Sequence, residues 1–222
     1  SDTLIYSKSG QPCWVSMVVN PPHETSGGPG GSITILTDIT LTKMHEVLQT
    51  RVLEGMVNEL PLPDLMELVC HEVERIAPEV TASILAVDGQ GRLRPLAAPS
   101  LPPSVAQLID GIAIGPSAGS CGTAAFRNEP VLVTDITTYP LWADYRTLVS
   151  PSGLRACWSS PIRDHHGKPL GTFAFYYREN RGPDLLHQRL LDVCVHLCAL
   201  AIERDVTHQR IHQLAFFDAL TG

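Results

Sequence analysis

Apolar positions follow three rhythms along the chain. Trp14-Val15-Ser16-Met17-Val18-Val19 is β-rich and ends at the turn signal Asn20-Pro21-Pro22. A loop follows at Gly27-Gly28-Pro29-Gly30-Gly31, and Ser32 to Thr37 resumes strand character. Two or three antiparallel strands do not make a stable domain alone, so residues 1–41 are expected to lean on something outside this segment. Residues 42–60 are predicted as a helix. Thr42 is its candidate N-cap, and Met44, Leu48, Val52 and Met56 recur every four residues until Pro61 and Pro63. A second helix opens at Asp64, with Leu65, Leu68, Val69 and Val73 on one face.

From 81 to 177 short apolar runs alternate with turns. Ala82–Val87 and Leu93–Ala97 flank the hairpin turn Asp88-Gly89-Gln90-Gly91. Ala156–Ile162 and Leu170–Tyr177 flank a second turn at 163–168. Short helices are expected at 103–110, 122–127 and 142–149, with a buried strand at Val131-Leu132-Val133. The pattern is that of an α/β (α+β) domain around an antiparallel sheet. Residues 183–217 then read as one long helix. Leu186, Leu190, Val193, Leu197, Leu200, Arg204, Thr207, Ile211 and Leu214 fall at alternating spacings of four and three. A second stripe, Cys194, Cys198 and Ile202, runs beside it. Such a seam predicts a parallel two-stranded connector and therefore a homodimer; the alternative is a single helix folded onto its own domain. The candidate interface residues are Met44 and Leu48 on the incoming helix, with Leu190, Val193, Leu197, Leu200 and Ile211 on the outgoing one.

Composition narrows the picture. The 222 residues are 44% hydrophobic and 18% charged, with a net charge of -7, so a packed core is expected. Without a Lys/Arg stripe, no nucleic-acid partner is expected. No uninterrupted apolar run reaches the ~18 residues that span a bilayer, and no secretory signal opens the chain; a cytoplasmic segment without a membrane anchor, cut from a longer protein, is the expectation. The six cysteines, at 13, 70, 121, 157, 194 and 198, form no CxxC pair and suit buried thiols.

Four ordered motifs carry a resemblance. Gly119-Ser120-Cys121-Gly122-Thr123-Ala124-Ala125, Val133-Thr134-Asp135-Ile136, the run from Gly153 to Ile162, and Gly171-Thr172-Phe173 resemble bacterial GAF domains. The resemblance covers 61–205 and implies a six-stranded antiparallel sheet, helices on one side and a ligand cavity on the other. The strand at Trp14 and the closing Thr37-Asp38-Ile39-Thr40 resemble the end of a PAS domain, making 42–60 a signalling helix. Phe217 to Gly222 resembles the opening of a GGDEF domain, with 206–222 as the connector. This order is similar to oxygen-sensing cyclic di-GMP cyclases and phosphodiesterases. It implies an unidentified small-molecule ligand in the GAF domain, and a place for haem in the half of the PAS domain outside this chain.

The candidate ligand contacts are Ser120, Cys121, Thr123, Asp135, Trp142, Tyr145 and Trp158. Ser120, Cys121 and Thr123 stand where a loop meets a helix N-terminus, which serves equally for capping or for holding an anion or carbonyl. Asp135 either accepts from a ligand or caps a turn, and Trp142 and Tyr145 suit a lid. Arg155 and Trp158, an odd number apart, point to opposite faces of a regular strand. No metal is expected: His208 and His212 have metal-compatible spacing without a third ligand. The resemblance also extends to free methionine-(R)-sulfoxide reductases, GAF domains whose nucleophilic cysteine would fall near Ser150. With no cysteine between 122 and 156, the chain lacks that nucleophile and no catalytic residue is expected.

Overall fold

The structure is a computed structural model describing residues 2–6, 12–20 and 32–221. The turn at 21–22 and the glycine loop at 27–31 lie outside these residues, as do Gly222 and the side chains of 212–221. The chain forms two compact units, 1–47 and 48–222.

The first unit is a three-stranded antiparallel sheet in the order β1-β2-β3: β1 (Asp2–Tyr6), β2 (Pro12–Asn20) and β3 (Ile33–Asp38). Helix α1 follows at Thr40–Val57. It starts two residues before the expected Thr42 because the Asp38 carboxylate, two residues before the helix, accepts the Thr40 N–H at 2.9 Å and caps it.

The second unit is a sandwich built on a five-stranded antiparallel sheet of order β5-β4-β8-β7-β6. Its strands are β4 (Thr81–Val87), β5 (Leu93–Ala97), β6 (Val131–Val133), β7 (Ala156–Arg163) and β8 (Pro169–Tyr177). The sixth strand implied by the resemblance is reduced to a fragment. Residues 111–114 touch the β5 edge through one bridge, Arg92 to Ala113, and through the bonds Leu93 N–H to Ile112 O and Gly111 N–H to Leu93 O. Gly111, at φ +83°, turns the segment before it can extend.

Period-two alternation along β8 sorts two cores. Phe173, Phe175 and Tyr177 face α2 (Leu62–Ile76), the long helix α6 (Leu185–Thr221) and the second half of α1. Ala174 and Tyr176 face the opposite layer of short elements: α3 (Pro103–Ile109), α4 (Gly119–Arg127), a 3-10 turn at Pro140–Trp142 and α5 (Arg146–Val149). Helices therefore cover both faces. Gly171 lets β4 and β8 approach: a Cβ there would lie 2.1 Å from the Leu85 carbonyl oxygen.

Helix α6 buries His187, Leu190, Leu191, Cys194, Leu197, Cys198, Ala201 and Ile202. This stripe recurs at three- and four-residue steps and is broader than a two-position seam. Leu185–Ile211 has the length and composition to cross a membrane, at mean hydropathy 1.5, but half of that window is buried within the protein.

Candidate functional site

Between the sheet and the short-element layer lies a cavity of about 20 Å³, lined by Leu93, Val105, Ile109, Ser120, Cys121, Trp142, Tyr145, Val149 and Tyr176 among others. That is room for about one water molecule. The roof is four short elements, α3, α4, the 3-10 turn and α5, each too short to be stable without its packing, whereas the floor is the five-stranded sheet.

Each wall has a local cause. Gly119, at φ +61°, swings the chain into α4 and brings Trp142 against its backbone. The Trp142 indole N–H donates to Ser120 Oγ at 3.0 Å, and both groups are buried. Thr123 Oγ1 accepts the Ala118 N–H at 3.1 Å, so Thr123 rather than Ser120 caps the helix start. Trp142 meets Tyr145 edge-on, with centroids 6.5 Å apart, and burial raises the Tyr145 phenol. Cys121 Sγ lies 3.5 Å from Tyr176 Oη. A hydrogen bond from the Cys157 thiol holds Cys121 below the ordinary thiol range, against the effect of burial. Cys157 is itself pushed well up by burial.

Ser120, Cys121, Trp142 and Tyr145 thus converge on one cavity, with Thr123 in the turn that supports it. Asp135 does not line it. Its carboxylate accepts both the Thr137 N–H and the Thr137 hydroxyl, closing a turn and lowering its pKa. Trp158 faces the other core, edge-on to Phe175 at 6.1 Å. The reason is register: Cys157 pairs with Tyr176 and so takes the cavity face, leaving Trp158 the opposite one. Arg155 is exposed.

Sequence reasoning passed over the floor. Ser83, Ala174 and Ser159 form one row across β4, β8 and β7, and Thr172 stands two residues before Ala174 on the same face. The hydroxyls of Ser83, Ser159 and Thr172 are fully buried with no hydrogen-bond partner. A thiol sulfur is only a weak acceptor, whereas a Cys121 thiolate is an acceptor that Ser159 and Thr172 favour. The alternation of Thr172, Ala174 and Tyr176 with three aromatics was the signal for this polar floor.

On the other face, His187 is fully buried. Its Nε2 lies 2.9 Å from Glu79 Oε1, and its Nδ1 lies 3.3 Å from Tyr177 Oη. With the proton on Nε2, Nδ1 accepts from the tyrosine. Both ring nitrogens being occupied, this histidine does not suit a haem ligand. The other described histidines whose side chains are placed are exposed.

Of the proposed interface residues, Leu48, Leu190 and Leu197 are buried in their own unit's core, and Met44 and Val193 are half-buried. Leu200 and Ile211 remain 43% and 58% exposed, joined by Val206.

The GAF domain family profile matches residues 59–203, and the chain belongs to that family: it carries a sensory module. Among curated proteins it is 34% identical over 173 residues to a methyl sulfide methyltransferase-associated sensor of Methanosarcina acetivorans, covering 76% of this chain and 17% of that one. It is 21% identical over 219 residues to the oxygen sensor protein DosP of Escherichia coli, covering 99% of this chain and 21% of that one. The chain therefore spans about a fifth of these relatives' length. Its fold is shared with the GAF domain of a phosphoenolpyruvate-protein phosphotransferase from Coxiella burnetii, at TM-score 0.61 and 19% identity over 78% of this chain and 96% of that domain.

Proposed function

We propose that this chain is the regulatory segment of a cyclic di-GMP signalling protein, in which a small molecule entering the GAF cavity alters the path of α6. One observation carries the reading: adjacent residues of β8 face the two layers. Tyr176 lines the cavity, and Tyr177 touches His187 on α6. A shift of β8 under the cavity is passed directly to the helix. A ligand acts by binding one arrangement more tightly than the other, and the roof of short elements is the part that yields to admit it. Residues 1–41 are read as the end of a PAS domain and 217–222 as the opening of a GGDEF domain, on the motifs quoted above. The homodimer is read from Leu200, Val206 and Ile211, which α6 leaves uncovered. The output is cyclic di-GMP made or degraded by domains outside this chain.

A second reading has its own support. A cavity of about 20 Å³ is far below the ~300 Å³ of ordinary ligand pockets, as suits a ligand-free dimerisation module. Native mass spectrometry of protein purified without added ligand separates the two. The sensor reading expects a small-molecule adduct in the wild type that is lost in Trp142→Ala. In the full-length parent, Trp142→Ala keeps cyclic di-GMP turnover but fixes its level. Absence of an adduct, with turnover sensitive only to Leu200→Asp/Val206→Asp, establishes the module instead. Cyclic di-GMP turnover absent altogether refutes the assigned pathway.

A further inference from the structure

The closed end of the cavity holds more chemistry than binding requires. Cys121 lies in the first turn of α4, where the helix dipole and unpaired N–H groups favour a thiolate. Cys157 stands on β7 directly opposite Tyr176, and the Tyr176 hydroxyl is 3.5 Å from Cys121 Sγ. Both thiols belong to one buried cluster, and Cys121, 6% exposed, borders the cavity. Around them stand the buried hydroxyls of Ser83, Ser159 and Thr172, which lack hydrogen-bond partners. Such groups cost free energy unless something polar meets them. The available space, about that of one water molecule, excludes a bulky occupant.

We propose that Cys121 and Cys157 form a hydroperoxide-reactive thiol pair that closes to a disulfide at the end of this cavity. Cys121 thiolate attacks one peroxide oxygen; the O–O bond breaks, and the leaving alkoxide or hydroxide takes the proton that Cys121 gave up on ionising. The product is a Cys121 sulfenic acid. The Cys157 sulfur then attacks the Cys121 sulfur, the S–O bond breaks, and the departing hydroxide leaves as water with the Cys157 proton. In sum two thiols are oxidised to one disulfide while the peroxide is reduced to an alcohol, or water, and a second water. Tyr176 is a positioning residue, since burial holds its phenol protonated and able to donate toward the reacting sulfur. The hydrogen bond from Cys157 that favours the Cys121 thiolate supports the assignment of nucleophile and resolving thiol. The remaining buried cysteines differ: Cys70, Cys194 and Cys198 lie in the opposite core, line no such cavity, and are pushed well up by burial.

The chemistry stands apart from the sensory reading, while its effect on output rests on that reading. The test exposes the reduced full chain to hydrogen peroxide, followed by peptide mapping under non-reducing conditions. A cross-linked Cys121–Cys157 peptide is expected, formed roughly tenfold faster than oxidation at the half-buried Cys13, since rate follows thiolate content. In Cys157→Ser, peptide mass mapping finds Cys121 one oxygen heavier, as a sulfenic acid; the wild-type mapping decides if that variant does not fold. Cys121 still reduced when Cys13 is oxidised, or oxidised without the cross-link, overturns the proposal. Cross-linking that leaves the full-length parent's cyclic di-GMP turnover unchanged overturns the link to output and leaves the thiol chemistry standing.

Discussion

Replacing Thr172 by valine tests the polar floor with two readouts of opposite direction. Thr172 lies mid-strand in β8, opposite Leu85 on β4 and Pro161 on β7, and is fully buried. Its Oγ1 has no partner. An unsatisfied buried hydroxyl costs roughly 1–3 kcal/mol, and replacing it by an apolar group of the same shape removes that cost. Valine keeps the branched outline and the strand's backbone bonds, so no cavity opens. Thr172→Val is therefore expected to gain about 1–2 kcal/mol in urea unfolding with the m-value unchanged, and to raise Tm by about 2–4 °C per kcal/mol. The same change removes a hydroxyl that favours the Cys121 thiolate, so alkylation of Cys121 at neutral pH should slow. The pH dependence follows in sign. Cys121 is lowered in the folded state from an ordinary value of 9.0. Its contribution to stability is therefore present above that value and is lost as pH falls through the folded one. The gain from valine should be largest in acid and shrink as pH approaches 9.0. A loss of about 1 kcal/mol or more, or unchanged alkylation, would show that the hydroxyl is already bonded in the folded state and refute the reasoning.

Two further outcomes follow from contacts of α6. In Tyr177→Phe the hydrogen bond to buried His187 Nδ1 is lost, leaving that acceptor unpaired at a cost of about 1–3 kcal/mol by chemical denaturation; in the full-length parent this variant should still bind what the cavity binds but respond less. The hairpin turn after β7 is held to α6 by His165, whose N–H and ring Nδ1 both meet Glu203 Oε1, at 3.0 and 2.7 Å. The carboxylate raises the His165 pKa above 6.5, so this tie adds stability below that value and loses it as pH rises through the folded value. Proton NMR titration should show the elevated His165 value falling in Glu203→Gln, with the remaining elevation owed to Asp164.

Much of the second unit was readable because its signals are local. The turn at 88–91, the four motifs and the helix-stopping prolines each act within a few residues. What failed to show is relational. Leu190 and Leu197 fit a seam toward a partner as well as they fit a stripe toward the sheet, because one helix offers both faces at the same spacing; only the position of β8 assigns them to their own core. Strand parity sets Trp158 opposite Arg155 but does not say which face meets the cavity; cross-strand register puts Cys157 on the cavity side. The sixth strand is implied by kinship, but Gly111 and Pro116 leave residues 111–114 too little extended chain to form it. The buried serines and threonine resembled ordinary strand polarity until their neighbours across the sheet were known.

Helix α6 continues to Thr221, yet among its residues with described side chains the last buried one is Ile202. The remainder is a rod of about 28 Å at 1.5 Å per residue. Its stub is clamped against β8, so a tilt there is magnified toward the tip. A tilt of about 10° at Ile202, an end-to-end arithmetic on that rise, carries the far end about 5 Å. That distance is comparable to one helical turn. The length of the overhang, more than the strength of any contact in the cavity, sets the mechanical gain of this domain.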